Sequence, residues 1–295
     1  MDLSIAIVSW NTRELLDDCL RSVFENANDI ELEVIVVDNA SSDGSAEMVR
    51  EKYPQVKVIE NDENVGFAGA NNQAYEVSSG RHFMILNPDT KVLSPLAPIV
   101  QFLDSNADVG AAGCKCVNPD MSIQRNWYDY YPSALWEMLP HRVRELGQSL
   151  IFRRDADSLF DTKWVGGQCM TVKREVLESV GGMDPDYFMY SEETDWCFRI
   201  RRAGWRVCHF PKIVILHYGG QSTKLAEVRM LVELQRSKYR FIARNLSVEK
   251  ARMFKAAIWV KTLLQRAGLR LVGNAREGCA RYAALTELQK SIGGW

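Results

Sequence analysis

The chain has 295 residues, 46% hydrophobic and 25% charged, an ordinary globular composition that suits one large α/β domain with an appendage or two small domains. Its net charge of −2 hides a split. Residues 1–223 carry 21 Lys and Arg against 33 Asp and Glu, a balance of −12, whereas residues 224–295 carry 15 against 5, a balance of +10, so a basic appendage on an acidic domain is expected.

In chain order, Leu3–Ser9 is an apolar strand, and a helix follows from Arg13 with Leu15, Leu16, Cys19, Leu20 and Val23 at helical spacing. Glu33–Asp38 is a second buried strand, Ser45–Lys52 a helix and Val56–Ile59 a third strand. Phe67–Ser79 is a helix ended by Gly80. His82–Leu86 is a fourth strand, Leu96–Asp104 a helix and Val109–Cys114 a fifth strand. Repeated strand–helix units with apolar strands predict a parallel sheet covered by helices on both faces. Residues 117–160 are aromatic and irregular, with Trp127, Tyr128, Tyr130, Tyr131 and Trp136, and read as an insertion or loop over a site. Regular structure resumes at Lys163–Val172. Further strands are expected at Arg206–Phe210 and Val214–Tyr218, and helices from Leu225 onward.

Ligands of such sheets bind at the carboxyl ends of the strands, and three of those ends are polar here. Ser9-Trp-Asn11 follows the first strand, Asp38-Asn-Ala-Ser-Ser-Asp-Gly44 the second and Asn87-Pro-Asp89 the fourth. No Gly-x-Gly-x-x-Gly follows the first strand, which excludes the usual dinucleotide fingerprint. Asp43-Gly44 reads as a helix-start turn. The seven cysteines are scattered and form no Cys-x-x-Cys zinc pattern, Cys114 and Cys116 reading as alternate positions on a strand. A reduced, cytoplasmic setting is therefore expected, with no basic leader before the first strand and no apolar run long enough to span a membrane. His82, His141 and His209 carry no motif.

The densest chemistry lies in Phe188-Met-Tyr-Ser-Glu-Glu-Thr-Asp-Trp-Cys-Phe-Arg199. Glu192, Glu193 and Asp195 fall in one expected helical turn, with Ser191 as N-cap and Asp195–Arg199 at i,i+4. Crowded carboxylates repel one another, which raises a pKa and can make one of them a usable general base. Acidic residues in a first turn also simply answer the helix dipole.

Together with Ile7-Val-Ser-Trp-Asn11, Val36-Val-Asp-Asn-Ala-Ser-Ser-Asp-Gly44, Asn64-Val-Gly-Phe-Ala-Gly-Ala-Asn-Asn72, Leu86-Asn-Pro-Asp89, Trp164-Val-Gly-Gly167 and His217-Tyr-Gly-Gly220, this segment forms an ordered set. The set resembles the inverting glycosyltransferases of family 2, and most of all their bacterial rhamnosyltransferase-like members. The resemblance spans about residues 3–223. It implies a GT-A nucleotide-diphospho-sugar transferase fold, with a mostly parallel central sheet flanked by helices and a C-terminal helical appendage. Residues 1–223 would be catalytic, about 1–115 forming the nucleotide half and about 116–223 the acceptor half, with 224–295 the basic helical region.

The resemblance also implies roles. Ser9, Asn11, Asp38, Asn64, Gly69, Asn72 and Asn87 would bind the nucleotide-diphospho-sugar donor, with backbone N–H groups of the helix after Asn64 open to phosphate or sugar. Asp89 and His217 would hold a divalent cation, Mg²⁺ or Mn²⁺. Asn87 stands where the family's Asp-x-Asp motif has its first acid, so only Asp89 supplies a charged ligand. Trp164, Gly166 and Gly167 would wall the acceptor. The family's Glu-Asp-x-Asp maps onto Glu192, Glu193 and Asp195, with Glu193 as base, Glu192 as the fallback, and Asp195 orienting the site or pairing with Arg199.

The activity so implied is transfer of a sugar, rhamnose favoured, from a dTDP- or UDP-sugar to a cell-envelope glycan or polyprenyl-linked acceptor. The alternative is a catalytically inactive sugar-nucleotide-binding protein of the same fold. In the tail, Met253–Val272 mixes Trp259, Leu263, Leu264 and Leu269 with Lys255, Lys261, Arg266 and Arg270. A basic amphipathic segment of this kind suits an anionic membrane surface at the inner face, or else a contact with a partner subunit. Nucleic acid is not expected, since no binding module accompanies the charge.

Overall fold

The computed structural model describes residues 1–140, 142–144, 147, 154–219, 227–272 and 276–295, with the helix backbone alone for 268–272 and 276–281. Gly220, His141 and the start of the tail at Leu225 lie outside the described residues, as do the side chains of Leu269 and Arg270. The chain divides into two compact units. One holds residues 1–129, 154–188 and 192–224, and the other holds 130–153, 189–191 and 225–295.

The first unit begins β1 (Leu3–Ser9), α1 (Arg13–Glu25), β2 (Leu32–Asp38), α2 (Ser45–Lys52), β3 (Lys57–Glu60), α3 (Gly66–Glu76), β4 (His82–Leu86), β5 (Thr90–Val92), α4 (Ala97–Ser105) and β6 (Val109–Val117). Short strands β7 (Ile123–Gln124) and β8 (Trp127–Tyr128) precede α5 (Ala134–Met138), which belongs to the second unit. The first unit resumes with β9 (Phe160–Asp161), β10 (Trp164–Val165), β11 (Cys169–Lys173), α6 (Arg174–Val180), α7 (Glu192–Arg202) and β12 (Arg206–His217). The sheet order is β3-β2-β1-β4-β11-β6-β12-β5, with β7 on β6 and β9 on β12. The central sheet is mostly parallel: β1 to β4, β6 and β12 run one way, while β11 is antiparallel to β4 and β6, and β5 is antiparallel to β12.

All seven residues of β1 are buried, because helices cover both faces of the sheet. Strand alternation sorts the core into two layers. Ile5, Ile7, Val34 and Val36 meet Leu16, Leu20 and Leu103 of α1 and α4. Ala6, Val8, Ile35 and Val37 meet Ala68 and Ala74 of α3 and Trp196 and Ile200 of α7. Ser4 sits buried in β1 because its hydroxyl donates to Glu33 Oε1 at 2.6 Å. Burial pushes Glu33 up, but Lys57, Ser4 and Ser79 donate to it and hold it at about 2.

Sequence periodicity placed the βα units but not the order beyond β4. β11 wedges between β4 and β6, and β5 was not anticipated at all. The two strands expected at 206–218 are one, β12, with a register shift between Phe210 and Val214. Pro211 lies in that shift, where a residue with no N–H to donate is tolerated. Cys114 and Cys116 do alternate on β6, but Cys114 is bonded to Cys169 of β11 with the Cα atoms 5.9 Å apart. That pairing corrects the expectation that all the thiols stand reduced.

The second unit contains α5, α8 (Glu227–Asn245), α9 (Val248–Val272) and α10 (Arg276–Ile292). α9 packs against α5, α8 and α10, and Phe241, Ile242, Phe254, Ile258 and Leu288 are buried. No described helix is long and apolar enough to cross a membrane.

Candidate active site

The parallel register brings Ser9 beside Asp38 and Ile7 beside Leu86, so the polar ends of β1, β2 and β4 meet at one edge of the sheet. Ser9 Oγ shares a hydrogen bond with Thr12 Oγ1 at 3.0 Å. Asn11, in the left-handed region at φ 53°, accepts from the Ser42 N–H at 2.8 Å, and its own N–H donates to Ser41 Oγ at 2.9 Å. These bonds pin the loop after β2 over the end of β1. Asp38 is buried, and its Oδ2 accepts from the Ser41 N–H at 2.9 Å. Its Oδ1 is also buried but has no hydrogen-bond partner among the described residues. A buried carboxylate oxygen is costly unless a donor reaches it. Asp43 accepts from the N–H groups of Arg13 and Ser45 and so fastens two helix starts, the turn role expected of it.

The glycine-rich segment departs from expectation. Asn64 Oδ1 accepts from the Gly66 N–H at 3.0 Å, and the Phe67 N–H donates to Phe188 O at 2.8 Å. The first two N–H groups of α3 are therefore taken. Gly66 is required by close approach: at φ 82°, a Cβ would lie 2.5 Å from Phe188 O. Asn72 donates from Nδ2 to Met183 O at 2.7 Å and accepts at Oδ1 from the Met183 N–H at 2.9 Å, so both ends of its amide clamp one backbone unit. A Cβ added at Gly69 would meet Val65 at ordinary contact distance.

The turn after β4 is built from beneath. Asn87 O accepts from Thr90 Oγ1 at 2.7 Å, and Cys19 Sγ lies 3.6 Å from it. Burial pushes that thiol up to about 12. The Asn87 N–H donates to Gln168 O at 3.0 Å, which ties this turn to the Gly166-Gly167 turn leading into β11. Asn87 Oδ1 is buried without a partner among the described residues.

Asp89, also buried, brings Oδ1 to 3.3 Å from His217 Nε2. Gln124 orients the ring. Its Nε2 donates to Asn118 Oδ1 at 2.9 Å and reaches His217 O at 3.4 Å, turning Oε1 toward His217 Nδ1 at 2.6 Å. Nδ1 thus faces Gln124 Oε1, and Nε2 faces the Asp89 carboxylate, where a proton or a metal ion would bridge the two. A carboxylate and an imidazole nitrogen are groups that could contribute to holding a divalent ion. No group of three or more metal-binding side chains occurs among the described residues.

Trp164 stacks on Tyr128 with ring centroids 3.9 Å apart and planes 14° apart. The Gly166 N–H donates to Asn126 O at 2.7 Å, and a Cβ on Gly167 would touch the Phe67 ring at 3.4 Å. Aromatic platform and glycine turn are therefore rigid, and α7 packs against β10 beside them.

On α7, Asp195 accepts from Arg199 Nε at 2.7 Å, and Arg199 also donates to Val180 O and Gly182 O. Asp195 thus positions the helix. Tyr190 and Ser191 have φ of 68° and 65°, so Ser191 lacks the extended backbone of the N-cap expected for it. Glu192 is buried, and its Oε2 has no hydrogen-bond partner among the described residues. Burial, and then the charge of Glu193, raise Glu192 well above the ordinary carboxyl range. Two adjacent carboxylates do not both ionise freely, and burial beside Glu193 disfavours the charged form of Glu192. Sequence reading missed Gln124, Cys19 and Thr90. Only the motif His217 pointed near them, and no local spacing marks Gln124.

Residues 4–181 match the family model described as glycosyl transferase family 2, and the chain belongs to that family. The matched span ends before α7 and His217. The chain is 26% identical over 269 residues to the N-acetylglucosaminyl-diphospho-decaprenol L-rhamnosyltransferase of Mycobacterium tuberculosis, covering 82% of this chain and 84% of that one. It is 23% identical over 249 residues to rhamnosyltransferase WbbL of Escherichia coli (strain K12), covering 82% and 92% respectively. Its fold is similar to that of the mannosyltransferase PcManGT from Pyrobaculum calidifontis, solved in complex with GDP-Man and Mn²⁺. That likeness has a TM-score of 0.57 and 20% identity, covering 97% of this chain and 84% of that one. The fold is the GT-A fold of nucleotide-sugar glycosyltransferases.

Proposed function

We propose that this family 2 glycosyltransferase moves a hexose, rhamnose before others, from a dTDP- or UDP-sugar to a glycan or polyprenyl-linked acceptor of the cell envelope, with inversion at the anomeric carbon. The sugar rests on the two rhamnosyltransferase relatives, and the polyprenyl-linked acceptor on the decaprenol-linked one of Mycobacterium tuberculosis. The observation that carries the site is the Asp89–His217 pair, 3.3 Å apart with the far side of the ring held by Gln124.

In this reading Asp38 receives a donor N–H or O–H from the nucleoside at its unpartnered Oδ1, with Ser9 and Asn11 shaping the same wall. Asp89 and His217 hold the divalent cation, and Asn87 offers Oδ1 beside them. A cation bound there would supply Lewis acidity and offset the charge of the departing diphosphate. Trp164, Gly166 and Gly167 form the acceptor wall, since an aromatic face suits the apolar face of a sugar. Glu193 takes the proton of the acceptor hydroxyl as its oxygen attacks the anomeric carbon. One C–O bond forms on the face opposite the one that breaks, and the nucleoside diphosphate leaves with the bonding pair. Glu192, protonated, stays neutral beside the base, and Glu192 takes the base role only if Glu193 does not. Asn64, Asn72 and Gly69 support the donor wall as scaffold.

The test is thermal stabilisation by a panel of sugar nucleotides with and without Mn²⁺ or Mg²⁺, repeated on Asp89→Ala and His217→Ala. Binding to the native state raises Tm by mass action. The expected result is a metal-dependent shift with one donor that both variants abolish. A shift that needs no metal sinks the cation assignment. No shift with any sugar nucleotide sinks the donor pocket, and a shift without turnover leaves the inactive binding protein.

A further inference from the structure

From Met253 to Ala267, α9 is built inside out. The residues with exposed side chains there are Met253, Ala256, Trp259, Val260, Leu263, Leu264 and Ala267, all of them apolar. Met253 is 64% exposed, Leu264 61%, Trp259 45% and Leu263 43%. The residues between them that turn inward include Phe254, Ile258 and Thr262, buried, and Lys261, whose Nζ donates to Glu137 O. A surface helix normally shows its charged side to water. Here an uncharged apolar strip runs about 22 Å along the outside, at about 1.5 Å per residue. In the same unit, Leu135 and Met138 of α5, which packs against α9, are exposed as well.

The margins of the strip are cationic. At about 100° per residue, the exposed Lys250 falls along one edge and the exposed Arg252 along the other, while Lys261, Lys255 and Arg266 on the flanks direct their head groups to Glu137, Trp295 and Gln289. Glu249 is the one acid of this helix. Lysine and arginine stems can lie along an apolar surface while their heads reach outward. An apolar face with Trp and Leu, bordered on both sides by cations, fits the interface of an anionic bilayer. A second copy of this chain fits poorly, because it would oppose one +10 region to another.

We propose that the 253–267 face of α9 seats the protein on an anionic lipid bilayer, lying in the plane of the headgroups without crossing. This face involves none of the catalytic residues, so its test is separate from that of the donor site.

The full-length protein is sedimented with vesicles of phosphatidylglycerol and phosphatidylethanolamine, and in parallel with vesicles of phosphatidylcholine alone. The variant carries Leu263→Glu and Leu264→Glu. The expected result is binding to the anionic vesicles, weaker on phosphatidylcholine. Binding should fall at least about a hundredfold in the variant, since each of the two lost leucine insertions is worth about a factor of ten or more. The variant should keep its donor-induced Tm shift, which shows that it is folded. Brominated lipid should quench wild-type fluorescence more than that of Trp259→Phe, a readout that needs no destabilising change. Equal vesicle binding by wild type and variant overturns the proposal. So does a wild-type dimer that the variant converts to monomer, because a second copy then covers the strip.

Discussion

Each of the two units buries a glutamate, and they do so to opposite effect. In the catalytic unit, Glu192 is buried beside a like charge, and both burial and Glu193 raise its pKa. In the helical unit, Glu137 is also buried, and burial pushes it up too. Yet Lys238, Arg144 and Lys261 outweigh that push and hold it below the ordinary range. Lys238 Nζ lies 2.6 Å from Glu137 Oε1, and Arg144 lies 3.3 Å from Oε2. Burial alone therefore assigns no role to a carboxylate, and the neighbours decide it. Cations on three sides make Glu137 a strut between α5, α8 and α9. A second carboxylate makes Glu192 and Glu193 the pair we propose to carry the base.

The largest expected effect tests the reactive side. Glu193→Gln should cut kcat roughly 10²- to 10⁴-fold, the usual loss on removing a general base, while keeping the donor-induced Tm shift. Turnover that survives in Glu193→Gln and dies in Glu192→Gln would exchange the two roles. The strut is tested next. Glu137→Ala leaves three cations around an empty position and should cost about 3–5 kcal/mol of stability, read from urea unfolding of the full chain. A loss under about 1 kcal/mol would reduce the cluster to ordinary surface pairs.

The two units also differ in how far they could be read from sequence. The βα units of the first half were legible because strand and helix periods are local, and each apolar run pairs with the one beside it. The β11 insertion was not, since strand order beyond β4 depends on pairing between distant segments. The membership of 130–153 in the helical unit was hidden for the same reason: Glu137 meets Lys238 and Lys261 at sequence separations of 101 and 124. At the site, motif residues carrying charge were found, and their supports were not. Gln124 fixes the ring of His217 from a segment that carries no motif of its own.

Asn72 shows the opposite failure, a motif residue whose amide is spent on scaffold. Asn72→Ala should cost about 1–3 kcal/mol, the price of unpairing the Met183 backbone groups, and leave the donor KM unchanged. Should KM rise with stability intact, the donor role first read from the sequence would stand and the clamp would be secondary.

The subtlest effect returns to Glu192 and appears only as a pH dependence. Its folded pKa lies above the ordinary value of 4.5, through which the unfolded chain releases this proton. Above that pH the folded state holds more protons than the unfolded state, so this group's contribution to stability falls as pH rises toward the folded value. Glutamine cannot ionise, so Glu192→Gln removes that decline. The difference in Tm between the variant and wild type should therefore be smallest near pH 4 and grow in the variant's favour toward pH 8, all other groups cancelling. A neutral side chain at 192 should also leave most of the turnover in place, because the base in this reading is its neighbour. A pH-independent Tm difference would mean that Glu192 is ionised in the folded protein, and the charge on the α7 pair would then have to be shared between both carboxylates.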